Sequence, residues 1–140
     1  MKDGDLRSLF RGQFKLWHWS SIETAGTASG VPDSEFCTPF GIQGWIEFKQ
    51  THINRVRLGP FQVGWIDKRS RYGGNVWIAV RRQPNSQREA GIDDLWLIHG
   101  SQVCALAEGG LENITAMCWH DGPNNWNWGE IGNILKGLAS

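Results

Sequence analysis

Apolar positions along the chain repeat at two different periods, and the changes of period divide it into elements. Leu6, Leu9, Phe10, Phe14 and Leu16 recur close to the helical repeat, which predicts a first helix over residues 5–16. Residues 17–24, rich in aromatic and β-branched side chains, predict a first strand, and the Gly/Ala/Ser-rich residues 25–30 a loop able to approach a ligand closely. Residues 32–39 and 45–50 predict a second and a third strand, joined through a turn at 41–44 as an antiparallel hairpin. Pro60 suits a first helical turn, and Phe61, Trp65 and Ile66 continue the helical spacing, so a second helix is expected over 59–72, ended by Gly73-Gly74. Val76, Ile78 and Val80 alternate with Trp77 and Ala79, the clearest strand of the chain, over 75–82. A polar loop over 84–91 leads to a strand at 94–99, a short helix at 102–107, an extended segment at 114–119 and a closing helix at 129–138. With no internal repeat, these elements predict one compact α/β unit.

At 140 residues the chain has room for one domain with a real core. Nine Trp and eighteen Gly set it apart from ordinary composition, and Trp on this scale means large buried area. Trp45, Trp65 and Trp77 suit the core or the walls of a site. Packing accounts best for Trp126 and Trp128, in a Gly/Asn/Pro-rich stretch, with base stacking or sealing of a dimer as alternatives. The sequence holds no apolar run long enough for a membrane span and no signal-peptide core after its first residues, which predicts a soluble, unexported, cytoplasmic protein. Cys37, Cys104 and Cys118 are odd in number and widely spaced, so neither a disulfide framework nor a zinc knuckle is expected. Cys118 and His120 stand two apart as metal ligands sometimes do, but without evident further ligands, and buried, inert thiols in a reducing compartment are the expectation.

The zero net charge conceals a segregation. Residues 1–48 are net −2, residues 49–82 net +7 and residues 83–140 net −5. The middle block, with Lys49, Arg55, Arg57, Lys68, Arg69, Arg71, Arg81 and Arg82 against Asp67 alone, is a candidate anion-binding face.

Candidate chemistry gathers at the start of that block. In a strand at 45–50, Ile46 and Phe48 point to one side while Trp45, Glu47 and Lys49 point to the other. A carboxylate and an ammonium then share one face, and the hairpin carries Asp33, after Pro32, towards Glu47. Two carboxylates supply hard oxygen ligands for a divalent cation, and a nearby ammonium suits developing negative charge. The bland alternative is a turn Asp and an exposed Glu–Lys pair.

Pro32-Asp33 followed by Glu47-Phe48-Lys49, in the order helix, three strands, helix, strand, resembles the PD-(D/E)XK nuclease superfamily over roughly residues 6–99. Leu58-Gly59-Pro60-Phe61-Gln62-Val63-Gly64-Trp65 is similar to the Gln-bearing helix of the virus-type replication-repair nucleases and Holliday junction resolvases, and Ser29-Gly30-Val31-Pro32-Asp33 to the approach to their PD strand. The resemblance implies a restriction-endonuclease-like αβββαβ core, a mixed sheet flanked by helices, with residues 100–140 as a C-terminal extension of the same domain. It departs from the pattern in the first helix, which offers Gln13 where many relatives carry a metal-binding Glu.

By the same resemblance, Asp33 and Glu47 are ligands of Mg²⁺ or Mn²⁺, with the main-chain carbonyl of Phe48 as a further oxygen and Glu23 as a candidate third acid. Lys49 serves the attacking water or the transition-state charge, and Gln62 bonds the water or a phosphate oxygen. His52, Arg55, Arg57, Lys68, Arg69, Arg71, Arg81 and Arg82 are the candidate DNA contacts, although a solvated helix face explains Lys68, Arg69 and Arg71 about as well. The implied function is a metal-dependent DNA endonuclease, with branched or otherwise structured DNA as one candidate substrate, either a homodimer in the manner of junction resolvases or, equally compatible, a small stand-alone replication-repair nuclease, in a bacterium or a phage-infected cell. A non-catalytic nucleic-acid-binding module on the same fold is the main alternative, and a carbohydrate-binding β fold, suggested by the Trp and Gly content, a weaker one.

Overall fold

The computed structural model describes residues 3–22 and 30–137. The elements follow as α1 (Asp3–Gln13), β1 (His18–Ser21), β2 (Ser34–Cys37), β3 (Gln43–Thr51), α2 (Pro60–Arg71), β4 (Val76–Arg82), β5 (Asp94–His99), α3 (Val103–Gly109), β6 (Met117–Trp119) and α4 (Trp128–Leu135), with short 3-10 turns around α3 and between β4 and β5. All six strands form one mixed sheet in chain order. β3 and β4 run parallel through the α2 crossover, and every other neighbouring pair is antiparallel. The architecture is α/β, with helices covering both faces of the sheet.

The alternation of β3 decides which residues go to which face. Ile46 and Phe48 are fully buried in a cluster with Leu6 and Phe10 of α1 and Ile131 and Leu135 of α4. Trp45 packs into the opposite cluster, where Ile66 of α2 and Val103 and Leu106 of α3 meet Ile78 and Val80 of β4. Glu47 and Lys49 therefore lie on the α2 face, in register with Ile78 and Val80. Pro60 opens α2 at the position where its missing N–H costs nothing, after Gly59 in an extended conformation, and Gly73 at φ +84 lets the chain leave after Arg71.

Element types and order agree with the sequence pattern, and the differences are in the ends. α1 stops at Gln13, where Phe14 turns back to stack on Trp17 with ring centroids 4.3 Å apart. β1 and β2 are four residues each, in register from His18↔Cys37 to Ser21↔Ser34, with one further backbone bond from the Ile22 N–H to the Asp33 carbonyl at 2.8 Å. The expected loop over 25–30 lies outside the described residues except Gly30, as do the ends of the expected first strand and closing helix. Trp126 is buried at 3% exposure and Trp128 packs edge-on against Phe10, so both serve the core. Residues 100–137 belong to the same sheet and core, β6 pairing with β5 and α4 closing over α1. The expectation of buried thiols is corrected: Cys104 is exposed on the outer side of α3, whose inner side carries Val103 and Leu106, while Cys37 and Cys118 are half-buried. Among the described residues no helix is long and apolar enough to cross a membrane.

Phe10 joins the layers, with its ring 5.0 Å from that of Phe48 and 5.2 Å from that of Trp128. Phe10→Ala is expected to cost about 3–5 kcal/mol, read as a fall in the urea midpoint; a loss below about 1 kcal/mol would mean that α1 is not held by this contact.

Candidate active site

Four side chains from three segments converge at the β3 edge that β2 leaves open. β2 pairs with β3 only from Cys37↔Gln43 to Ser34↔Ile46, so beyond Ile46 the edge faces Asp33 instead of a strand. The Asp33 N–H donates to Glu47 Oε1 at 3.1 Å, and Asp33 Oδ2 accepts the N–H of Phe48 at 3.3 Å. From α2, Gln62 Nε2 donates to Glu47 Oε2 at 3.1 Å, and Lys49 Nζ lies 3.5 Å from the same oxygen. Lys49 Nζ also donates to Gln62 Oε1 at 3.3 Å. The Gln62 amide has a second task, since its Oε1 accepts the Gly59 N–H at 3.0 Å and ties the helix start.

Gly30 fixes the distance between the Asp33 segment and α2. Its φ is +73, and a Cβ there would stand 2.0 Å from the Phe61 carbonyl oxygen and 2.9 Å from the Gln62 nitrogen. Only a residue without a side chain lets the two backbones meet this closely.

The electrostatics are those of two carboxylates with too little solvent. Burial, and then the charge of Asp33, push Glu47 up from 4.5 to about 7, against the pull of Lys49 and of its hydrogen bonds. Burial also raises Asp33, opposed by its bonds from Ser34 Oγ, at 2.8 Å, and the Phe48 N–H and by the charges of Arg7 and Lys49. Lys49 is itself largely covered, at 16% side-chain exposure against 6% for Glu47.

Arg7 and Arg11 on α1 complete the surroundings, and neither is among the expected site residues. Arg11 donates to Ser21 Oγ at 2.7 Å and reaches Ser34 Oγ at 3.5 Å, the hydroxyl that bonds Asp33. Its Nε is buried without a protein partner. Burial lowers the Arg11 guanidinium, as does Arg7, while Asp33 acts in the opposite sense. The available signal was two arginines four apart, one helical turn, beside the apolar stripe of α1.

Among the other expected site residues, Glu23 lies outside the described residues. Gln13 is exposed, lining a groove with Arg81 and Pro123 on the α1 side of the sheet rather than meeting Glu47. The eight expected DNA contacts fall into separate groups. His52, Arg55 and Arg57 line a groove of about 680 Å³ that begins at Gln50, the residue after Lys49. Within it His52 Nδ1 lies 2.9 Å from the Gln83 carbonyl and Arg55 donates to the Glu108 carbonyl at 2.7 Å. Lys68 and Arg69 line a second groove at the end of α2, with Arg69 stacked over Trp65 at 4.5 Å. Arg71 pairs with Asp67 at 2.8 Å on the surface. Arg81 is held by both oxygens of Asp93, at 2.8 and 2.7 Å, and Arg82 by Glu89 at 2.9 Å, so these two serve internal pairs at 14% and 13% side-chain exposure.

No protein-family model, curated protein or solved structure matches the chain.

Two outcomes follow from this geometry. Gly30→Ala should lower stability by clearly more than Gly41→Ala, which is also at positive φ but faces open space and should cost about 1–2 kcal/mol; equal losses in urea melts would remove the contact with α2. A Glu that titrates near 7 folded and near 4.5 unfolded binds more protons when folded between those values, so stability falls as pH rises through that window. In metal-free protein the fall should be about 3 kcal/mol between pH 4.5 and 8 from this group, and Glu47→Gln should flatten that part of the urea-midpoint profile. An identical profile in the variant would mean that Glu47 is not the group responsible.

Proposed function

We propose that the chain is a metal-dependent DNA endonuclease of the PD-(D/E)XK superfamily, with about residues 6–99 forming its restriction-endonuclease-like core. The observation that carries this reading is the meeting of Asp33, Glu47, Lys49 and Gln62 at one open strand edge, Gln62 Nε2 and Lys49 Nζ both converging on Glu47 Oε2 at 3.1 and 3.5 Å. Random surface residues in a Pro-Asp and a Glu-x-Lys pattern have no reason to converge or to be desolvated.

The donor set fits Mg²⁺ or Mn²⁺. Asp33 and Glu47 are oxygen donors whose carboxyls burial pushes up, Glu47 further by the charge of Asp33, a cost that a divalent charge offsets. The Phe48 N–H faces Asp33, and in an extended strand the carbonyl of the same residue points to the same side, which puts a third oxygen at this edge. When bound, the cation polarises a phosphoryl oxygen and makes water a better nucleophile.

The chain's own groups supply the rest. Lys49 carries a fixed positive charge beside Glu47 that can orient water and offset charge growing on the phosphate. Gln62 is pre-oriented, its oxygen held by the Gly59 N–H and its amide N–H directed into the site. Arg7 and Arg11 bring positive charge to the α1 side of Asp33, where a phosphate would otherwise meet only carboxylates. The groove lined by His52, Arg55 and Arg57 at the end of β3 offers the flanking backbone a sequence-independent basic surface. The resemblance to junction resolvases makes branched DNA and a homodimer the first substrate and assembly to try.

The test is a cleavage panel of linear, nicked, flap and four-way DNA with Mg²⁺ or Mn²⁺. Wild type should cut at least one of these, while Asp33→Ala, Glu47→Ala and Lys49→Ala each lose about 100-fold or more in rate with DNA binding retained. Uncut DNA throughout, with binding intact, would leave a nucleic-acid-binding module and end the nuclease reading.

A further inference from the structure

A second cluster of chemically reactive side chains lies away from these residues, at the far edge of the sheet. β5 and β6 pair with Leu95↔Trp119 and Trp96↔Cys118, so Asp94 stands across from His120, the residue that follows β6. Alternation then puts Asp94, Cys118 and His120 on one face of the sheet. Their ligating atoms all lie within 4.8 Å of one another: His120 Nδ1 is 2.8 Å from Asp94 Oδ1 and 4.0 Å from Cys118 Sγ.

We propose that Asp94, Cys118 and His120 form a site for a borderline transition-metal ion, Zn²⁺ being the natural occupant, separate from the carboxylates at Asp33 and Glu47. One sulfur, one imidazole nitrogen and one carboxylate oxygen are the donor types Zn²⁺ takes, whereas a thiol is a poor ligand for Mg²⁺. With ordinary Zn–S and Zn–N lengths, a tetrahedral ion holds its sulfur and nitrogen ligands about 3.6 Å apart and its nitrogen and oxygen ligands about 3.3 Å apart. The distances present, 4.0 and 2.8 Å, need only small adjustments, which His120, at 65% side-chain exposure, has the freedom to make.

The surroundings suit the charge. One thiolate and one carboxylate neutralise a divalent ion, which fits the two ligands that are largely or half covered, Asp94 and Cys118. Arg82, in register with Asp94 on β4, opposes a cation and favours the Cys118 thiolate, and its pairing through one nitrogen with Glu89 at 2.9 Å offsets part of its charge. Asp93, next in sequence, points to the other face and holds Arg81, while its carbonyl accepts the Gly122 N–H at 2.9 Å. The division leaves Asp94 to His120. In the metal-free chain, burial and then Asp94 push the Cys118 thiol up to about 12, and its proton passes to solvent as the ion binds. Because the three ligands sit on both sides of the β5–β6 connection, a bound ion would pin β6 to the sheet.

Cobalt(II) is the probe, because a cysteine thiolate bound to it gives near-ultraviolet charge-transfer absorption. The full chain, reduced and stripped of metal, should bind one equivalent with that absorption, and excess Zn²⁺ should displace it. Cys118→Ser should abolish the band, and His120→Ala, a change at an exposed side chain that the fold tolerates, should weaken binding about 10-fold or more. Asp33→Asn with Glu47→Gln should leave it intact, which separates this site from the proposed nuclease centre whatever that centre does. No thiolate band in wild type, or the same band in Cys118→Ser, where exposed Cys104 would then be its source, overturns the assignment.

Discussion

The two-sided alternation of Gln43–Thr51 is the constraint on which the rest of the structure depends. As the third strand of six it is paired with β2 on one edge and β4 on the other, and it carries a hydrophobic contact surface on each face. Shifting its register by one residue would bury Glu47 and Lys49 under α1 and turn Ile46 and Phe48 towards α2. The packing of Phe48 on Phe10 thus determines where the charged pair lies as firmly as any polar contact within the site.

A site held this way stores unfavourable electrostatics. Asp33 and Glu47 share a hydrogen bond through the Asp33 backbone while their charges repel, and neither has enough water to relax. Hydrophobic burial across the sheet sustains that arrangement, and Gly30 prevents it from opening by seating the Asp33 segment on the backbone at Phe61. Stability and proposed activity therefore oppose one another at Glu47: the desolvation that raises its pKa is the condition that would favour a divalent cation.

Much of this was legible in the chain. The alternation of β3 and β4, the proline that opens α2 and the glycines that end it, and the limits of β5 follow from local rules, and the hairpin that brings Asp33 to Glu47 follows from turn chemistry. The first-helix arginines were not legible, because two cations one turn apart read equally as a solvated face until Ser34 and Asp33 are placed beside them. The basic block was visible as charge but not as pairing. The acidic third folds back on it, Asp93 on Arg81 and Glu89 on Arg82, which depends on the β4–β5 register. Cys118 and His120 were visible as a spacing, but the carboxylate that joins them lies 24 residues before Cys118 and becomes a neighbour only across a strand pair.

Among the described residues the sheet ends in β1, four residues long, and β6, three. Such short borders offer few unpaired amides for another chain to extend, so edge-to-edge association and its slide into aggregation are discouraged from both sides. Most of the described surface open to any macromolecule is therefore helix and loop. Recognition is thereby directed to the surfaces where side chains, rather than the uniform backbone, decide what is accepted.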